Sequence, residues 1–419
     1  MSARELQRRF VLLRALRWLP LGLALPFLIL LPQDRGLGLA EIGLVFGVHS
    51  AVAIVLEVPS GGLADAIGRR TTLLLGGGIT VAALAAYAIA TGLPAFMAAA
   101  AGIATGRALL SGALEAWFVD ALRLIDPEAV LHGPLAAGST AEGIGSGTGA
   151  AIGGFLPLLA TGLPEGGDAT LVQLSAPLLG AAAAAVVYVL AVLRYVDEPP
   201  RVRATTWRDA LRDTAIITRA GVSAAGRSRN VRIILTLALA VGIVMSITEV
   251  LWPPRLEDLV GRDASDFAPL FGLLTAAGML AYSAGSASST RIARRLDKRT
   301  SYSGSYVVLA VALGLLAVAA SPVVFCAVYL LYFWSLGVAD PLHFEILHDA
   351  IDSSTRATVT SAEGLAGQAG GLGGNLGLAP LAGAAGVGVA WALASVVALA
   401  GAALATRPRP RPAAPSGAA

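Results

Sequence analysis

The chain has 419 residues, of which 56% are apolar and 14% charged, and its formal net charge is +3 at pH 7. Ordinary soluble domains are roughly one-quarter charged, so a water-soluble globular fold is excluded and the chain is read as a membrane protein. The lone Cys326 excludes an intramolecular disulfide. In its apolar run it reads as a small hydrophobe, with no redox or metal role.

A helix needs about 20 apolar residues to cross the hydrocarbon. Such stretches recur twelve times, near 10–31, 39–64, 71–91, 94–122, 137–162, 175–194, 231–252, 267–289, 302–320, 322–347, 356–383 and 386–405. These alanine and leucine runs lack the period-two alternation of membrane-barrel strands. The predicted fold is therefore an all-α membrane protein with twelve transmembrane helices. The opening "MSARELQRRFVLLRALRW" is basic and then apolar, like a signal peptide. Its apolar part runs past Leu31 without a small-residue cleavage site, so it is read as a retained first helix. Between the sixth and seventh stretches, 195–230 is polar and arginine-rich, as expected of a cytoplasmic linker. Its "WRDALRDTAIITRAG" has the pattern of a helix lying on the membrane surface. The proline-rich tail 406–419 is expected to be disordered.

Charge distribution sets the topology. With the amino terminus in the cytoplasm, the inside segments hold five basic residues before Trp18, Arg69 and Arg70, Arg123, nine within 194–232, five within 291–299, Arg356, and three after Thr406, altogether 26 of 30. So strong a bias orients the chain by the positive-inside rule, with both termini cytoplasmic. It also explains the basic loops as topology signals rather than as a nucleic-acid surface. Lys298 is the only lysine. Arginine and alanine usage of this kind points to a high-GC bacterial genome, hence to a multi-pass protein of the bacterial inner membrane.

An internal repeat follows. "GALEAWFVDAL" (Gly112, Glu115, Asp120) and "GVADPLHFEIL" (Gly337, Asp340, Glu345) share their spacing; "STAEGIGSG" answers "TSAEGLAGQ", and "LADAIGRRT" answers "IARRLDKRT". Three matches in one order imply two pseudo-symmetric six-helix halves, 1–194 and 231–405.

At the hinge, "GGLADAIGRRTTLL" resembles the motif between helices two and three of the major facilitator superfamily. "GRALLSGA" is similar to that superfamily's second motif. "GSGTGAAIGG" is similar to its antiporter motif, with Ala150 where a proline is usual. The resemblance implies two halves that rock about a midplane site. It also implies a cytoplasmic gate of Gly61, Asp65, Gly68, Arg69, Arg70 and Asp120, with Arg294, Arg299 and Glu345 as counterparts in the second half. Small-residue faces let helices pack closely, and Gly145, Gly149, Gly153 and Gly154 form one in the fifth helix. The same "GSGTG" lacks the strand and helix context of a nucleotide-binding loop.

Charges within the hydrocarbon are functional candidates by default. Taken as one continuous helix, the fourth places Arg107 about 18 Å deep and Glu115 about 12 Å further, on roughly the same face. Two readings of Glu115 stand side by side: a proton carrier, or a carboxylate paired permanently with Arg107. Glu57 and Asp340 join them as proton-coupling or cavity residues, and Glu142 and Glu363 occupy corresponding places in the repeat. His343 reads as a satisfied interfacial side chain.

The expected function is a secondary active transporter, a proton-coupled exporter of amphiphilic small molecules. A proton symporter importing a nutrient is the alternative, and a membrane enzyme acting on a lipid-linked substrate the second alternative. Paired acids at equal depth suit rocking halves better than an active site gathered in one loop. The expected partners are substrate, protons and lipid, with no cofactor and no nucleic acid, in a monomer.

Overall fold

The computed structural model describes residues 2–167, 169–198, 223, 228–261, 264–351 and 356–407. Most of the predicted linker 195–230 and of the tail 406–419 lies outside them, as do Gly61 and Asp65 at the level of side chains.

Every predicted stretch is helical. The first is split into α1 (Ala3–Ala24) and α2 (Phe27–Asp34) at Pro26, and the Ser2 hydroxyl caps its start by accepting from the Glu5 amide. α3 (Leu39–Ile67) and α4 (Arg69–Ala88) follow, separated by Gly68 alone. The fourth stretch is not the continuous helix expected. It breaks into α5 (Leu93–Leu110) and α6 (Ala113–Ile125), with Ser111 extended and Gly112 left-handed at φ 69°. Glycine is the residue that enters this region freely, so the break is written at Gly112. α7 (His132–Leu159) and α8 (Ala176–Tyr195) complete the first half.

The second half comprises α9 (Arg229–Val260), α10 (Ala268–Leu296), α11 (Lys298–Val318), α12 (Pro322–Ala350), α13 (Arg356–Ala385) and α14 (Val387–Ala405). α9 runs through Pro253 and Pro254 to Val260, two turns beyond the predicted end of the seventh stretch.

Packing repeats as the sequence does. α1 packs on α7, α3 on α5, and α4 on α5 and α8; correspondingly, α9 packs on α13, α10 on α12, and α11 on α12 and α14. The protein is thus built of two pseudo-symmetric halves. Two seams join them, α3 with α13 and α7 with α10. Among the described residues, ten helical stretches are long and apolar enough to cross a membrane. α7 and α13 are long enough but glycine-rich, and each is flanked by a helix of its own half and one of the other.

Glycine makes these seams possible. A Cβ on Gly145, Gly149 or Gly153 would run into the backbone of α1 near Ala15, Leu19 and Leu23, whereas one on Gly154 would meet the Ala268 carbonyl oxygen at 2.9 Å. The predicted small-residue face therefore divides its duties between the half's own packing and the seam with α10. The other seam brings Gly43 against Asn375 and Ala379. Nearby, Gln33 donates to Glu257 across the halves at 2.6 Å. The contacts between the halves, at Gly154, Gly43 and Gln33, lie at the end opposite the hinge arginines, which is the closed end. At the basic end Arg69 pairs with Asp120 at 3.8 Å and Lys298 with Glu345 at 3.0 Å, each within one half.

Candidate functional site

The two hinges solve one problem by different means. Gly68 adopts φ 99° at the start of α4, and its counterpart at the start of α11, Asp297, adopts φ 63°, the one non-glycine at positive φ among the described residues. A helix start exposes amides that need acceptors. In the first half the Glu198 carboxylate supplies them, accepting from the Arg69 and Arg70 amides at 2.9 and 3.0 Å, and a Cβ on Gly68 would strike that carboxylate. In the second half Asp297 caps its own helix, accepting from the Arg299 and Thr300 amides at 2.9 and 3.1 Å and from the Thr300 hydroxyl at 2.6 Å. These bonds, the Thr300 hydroxyl's foremost, hold the Asp297 carboxyl below its ordinary range. The Asp297 cap is therefore complete above that range and is lost as pH falls through the lowered value. Glu198→Ala should speed hydrogen exchange at the Arg69 and Arg70 amides by roughly the factor of five that about 1 kcal/mol of capping represents. Asp297→Ala should do so at Arg299 and Thr300; unchanged exchange in both would refute the capping roles.

Of the expected gate, Arg69 meets Asp120, and Arg70 donates to the Leu193 carbonyl at 2.9 Å. Glu345 and Asp349 share Lys298 rather than Arg294 or Arg299. Glu198 was missed because it comes from outside the hinge motif, and Lys298 because the second-half gate was read from the motif's arginines alone.

Deeper in the first half, the pairing of Glu115 with Arg107, one of the two readings of Glu115, does not occur. The break at Gly112 turns α6 away from the face of α5, and Arg14 of α1 takes Glu115 instead, together with Glu142 of α7 at 2.5 Å. The Arg14 side chain is only 11% exposed. It is held by Phe10, which stacks on Phe118 of α6 with centroids 4.2 Å apart, and by Leu6 and Leu13 packed among Trp117 and Leu122. Trp117 in turn donates to the Asp197 carbonyl at 2.9 Å.

In the second half the corresponding acid meets a different base, from a different helix. Glu363 of α13, the repeat partner of Glu142, meets the Nε2 of His343 on α12. The Nδ1 of His343 lies 2.6 Å from the Tyr302 hydroxyl of α11, which is 3.3 Å from that of Tyr306. Asp340, on α12, is hydrogen-bonded to Tyr282 of α10.

Between the halves, Arg107 is exposed at mid-depth. It lies within electrostatic reach of His49 on α3 and of Glu249 on α9. At 1.5 Å per residue all three stand roughly 15–21 Å from the closed end of their helices. Glu249 is bordered by Tyr329 and Tyr332, whose hydroxyl hydrogen-bonds the Thr248 side chain. Glu57 is half-buried on α3, about 12 Å nearer the basic end than His49. Neither His49 nor Glu249 was a sequence candidate. The available signal for Glu249 was an acid inside the predicted seventh stretch, 231–252.

Two six-helix halves with charged groups from both at mid-depth define a transporter rather than an enzyme. Residues 10–372 match the model of the Major Facilitator Superfamily, and the chain belongs to that family. It binds a small-molecule substrate and works as an integral, multi-pass membrane protein. No curated protein matches its sequence. Among solved structures it is similar in fold to the nucleoside transporter NupG, with TM-score 0.75 and 14% identity over 95% of this chain and 98% of that one. It is similar also to the human organic anion transporter MFSD10 (TETRAN), with TM-score 0.63 and 18% identity over 97% and 100%. A bacterial homolog of the human lysosomal transporter Spinster, in an inward-facing and unoccupied conformation, gives TM-score 0.72 and 14% identity over 96% of each chain.

Proposed function

We propose that this protein is a proton-coupled exporter of amphiphilic small molecules, working by alternating access as a monomer in the bacterial cell membrane. Halves 1–194 and 231–405 rock about the midplane. The linker 195–230 and both termini lie in the cytoplasm, so the basic end is the cytoplasmic end and the described state faces inward. Asp65, Arg69 and Asp120 act as the inner gate.

The observation that carries this reading is the trio Arg107, His49 and Glu249, in which both halves contribute groups at one depth. A guanidinium exposed at mid-membrane needs water, a partner or a ligand. Opposed to a carboxylate of the other half, it suits a ligand with polar groups and an apolar body. Tyr329 with Phe333, at 4.9 Å between centroids, and Trp252 with Tyr329, at 5.0 Å, supply the apolar wall beside Glu249.

The test uses everted vesicles with an imposed pH gradient, loaded with ethidium, an anionic dye or a zwitterionic antibiotic. Gradient-driven movement of at least one probe in the export direction is expected. Arg107→Ala should cut movement of acid-bearing probes more than tenfold, and Glu249→Gln that of base-bearing ones. Movement of no probe, or identical profiles in both variants, would sink the assignment. Ala150 in the antiporter-like motif favours import instead, and the sign of the gradient that drives movement separates the two directions.

A further inference from the structure

We infer that the coupling proton is held in the second half, by the chain Tyr306, Tyr302, His343 and Glu363, while the matching site of the first half is fixed in charge by Arg14. This rests on the proton coupling proposed above and names its residues.

The acids Glu142 and Glu363 occupy the same place in the repeat, and the base each one meets, drawn from a different helix in each half, distinguishes the two sites. Arginine stays protonated at any physiological pH, so Arg14 holds Glu115 and Glu142 in one electrostatic state. Histidine is the side chain whose ordinary titration falls between about pH 5 and 8. His343 therefore gives the second half a group that can change charge where its counterpart cannot.

The geometry keeps both ring nitrogens of His343 hydrogen-bonded in either state. With His343 neutral, Nε2–H donates to the Glu363 carboxylate, and Nδ1 accepts from the Tyr302 hydroxyl at 2.6 Å. When one proton adds to Nδ1, that nitrogen becomes a donor to the Tyr302 oxygen. The hydroxyl then turns to donate to Tyr306, 3.3 Å away. One proton is taken up; the bonds from Nδ1 to Tyr302 and from Tyr302 to Tyr306 reverse direction, as hydroxyls permit, while Nε2–H goes on donating to Glu363. Tyr302 and Tyr306 are buried, so the proton cannot leak onward to solvent, whereas His343 and Glu363 are each 20% exposed and can exchange it.

The neighbours leave His343 as the responsive group. α11 presents Tyr302 and Tyr306, with Lys298 one turn nearer the basic end and committed to Glu345 and Asp349. α13 presents Glu363. Asp340, on the same helix as His343, is bonded to Tyr282 of α10. α9 carries no titratable residue between Arg232 and Glu249, and α14 carries none.

The chain also has a route to the halves' movement. It ties α11, α12 and α13 together, and α13 forms the seam with α3 at the closed end, where Gly43 and Gly47 meet Asn375 and Leu376. Charging His343 strengthens its hold on Glu363 and so biases the tilt of α13.

The experiment reads conformation, and therefore needs no substrate. Spin labels at Leu124→Cys and Leu296→Cys, exposed at the basic end of each half, are placed in a Cys326→Ala background, and their distance distribution is followed from about pH 5 to 9. For a single coupled proton, the ratio of the two states should change by up to about tenfold per pH unit. In His343→Gln and Glu363→Gln it should vary by less than about twofold over the whole range. Glu142→Gln should respond as the wild type does. Tyr302→Phe removes the donor to neutral Nδ1 and the acceptor for Nδ1–H; the second bond is charge-assisted and the stronger, so the slope should stay and its midpoint fall, a readout that mere packing would not move. If the wild type responds and the Gln variants respond equally, or if Glu142→Gln also abolishes the response, this site is not the carrier although coupling stands. A wild type indifferent to pH would overturn the coupling reading itself.

Discussion

Arg14→Met should be the most destabilising single substitution in the first half. Arg14 lies against two carboxylates, and its side chain is almost wholly enclosed. Removing one partner of a buried ion pair is typically worth about 3–5 kcal/mol, because the other charge is left uncompensated. Here two charges are left, and Glu115 loses the arginine it is paired with. Arg17, one turn along, still reaches Glu142 electrostatically, so the loss falls chiefly on Glu115. Arg14→Lys should recover only part, since one ammonium cannot fork between two carboxylates as a guanidinium does. The stringent comparison is the triple variant Arg14→Met, Glu115→Gln, Glu142→Gln. With both acids neutral it should regain most of the thermal stability in detergent, followed by the monodisperse fraction surviving a temperature ramp. If the triple variant is no more stable than Arg14→Met, the damage comes from lost packing and the electrostatic account fails.

That prediction concerns a residue the sequence assigned to a different task. Arg14 was one of five arginines before Trp18 that orient the first helix, and nothing local distinguishes it from Arg8 or Arg17. Its role arises because α1 packs along the glycine face of α7, which brings Glu142 and the start of α6 to it. The helices themselves were legible, since hydropathy is a property of consecutive residues. The repeat was legible for a related reason, because both halves needed the same hinge and the same acid on their fifth helix. Pairings across helices were not. The assignment of Glu115 to Arg107 assumed 100° per residue through Ser111 and Gly112, and one left-handed glycine cancels that phase. The hinge shows the opposite case. "LADAIGRRT" and "IARRLDKRT" looked equivalent, yet Gly68 relies on Glu198 for its cap while Asp297 caps itself. Sequence similarity there reports a shared turn, reached through two different sets of bonds.

Gly272→Leu should abolish transport while leaving a folded protein. Gly272 sits on α10 at the closed end, where a Cβ would meet the Ala150 carbonyl, the Gly154 Cα at 2.7 Å and its amide nitrogen at 2.8 Å. All three are backbone atoms of α7 and cannot yield as a flexible side-chain tip would. Overpacking a tight contact typically costs about 1–3 kcal/mol. The cheapest relief is to part α7 from α10, which opens the end that is closed here. A bias of that size changes the ratio of the two states by roughly five- to 150-fold, enough to hold the transporter in one state and remove turnover. Labels at Leu159→Cys and Val323→Cys, each more than three-quarters exposed at this end in opposite halves, should move apart relative to the wild type in the same Cys326→Ala background. Gly377→Leu is the matched control. It lies on α13, about two turns from the closed end of that helix, but a Cβ there meets nothing within 4 Å, so transport and label distance should stay near those of the wild type. Loss of transport in Gly272→Leu without any change in the label distance would show that this seam does not part during the cycle, and the rocking of the halves would then have to pivot elsewhere.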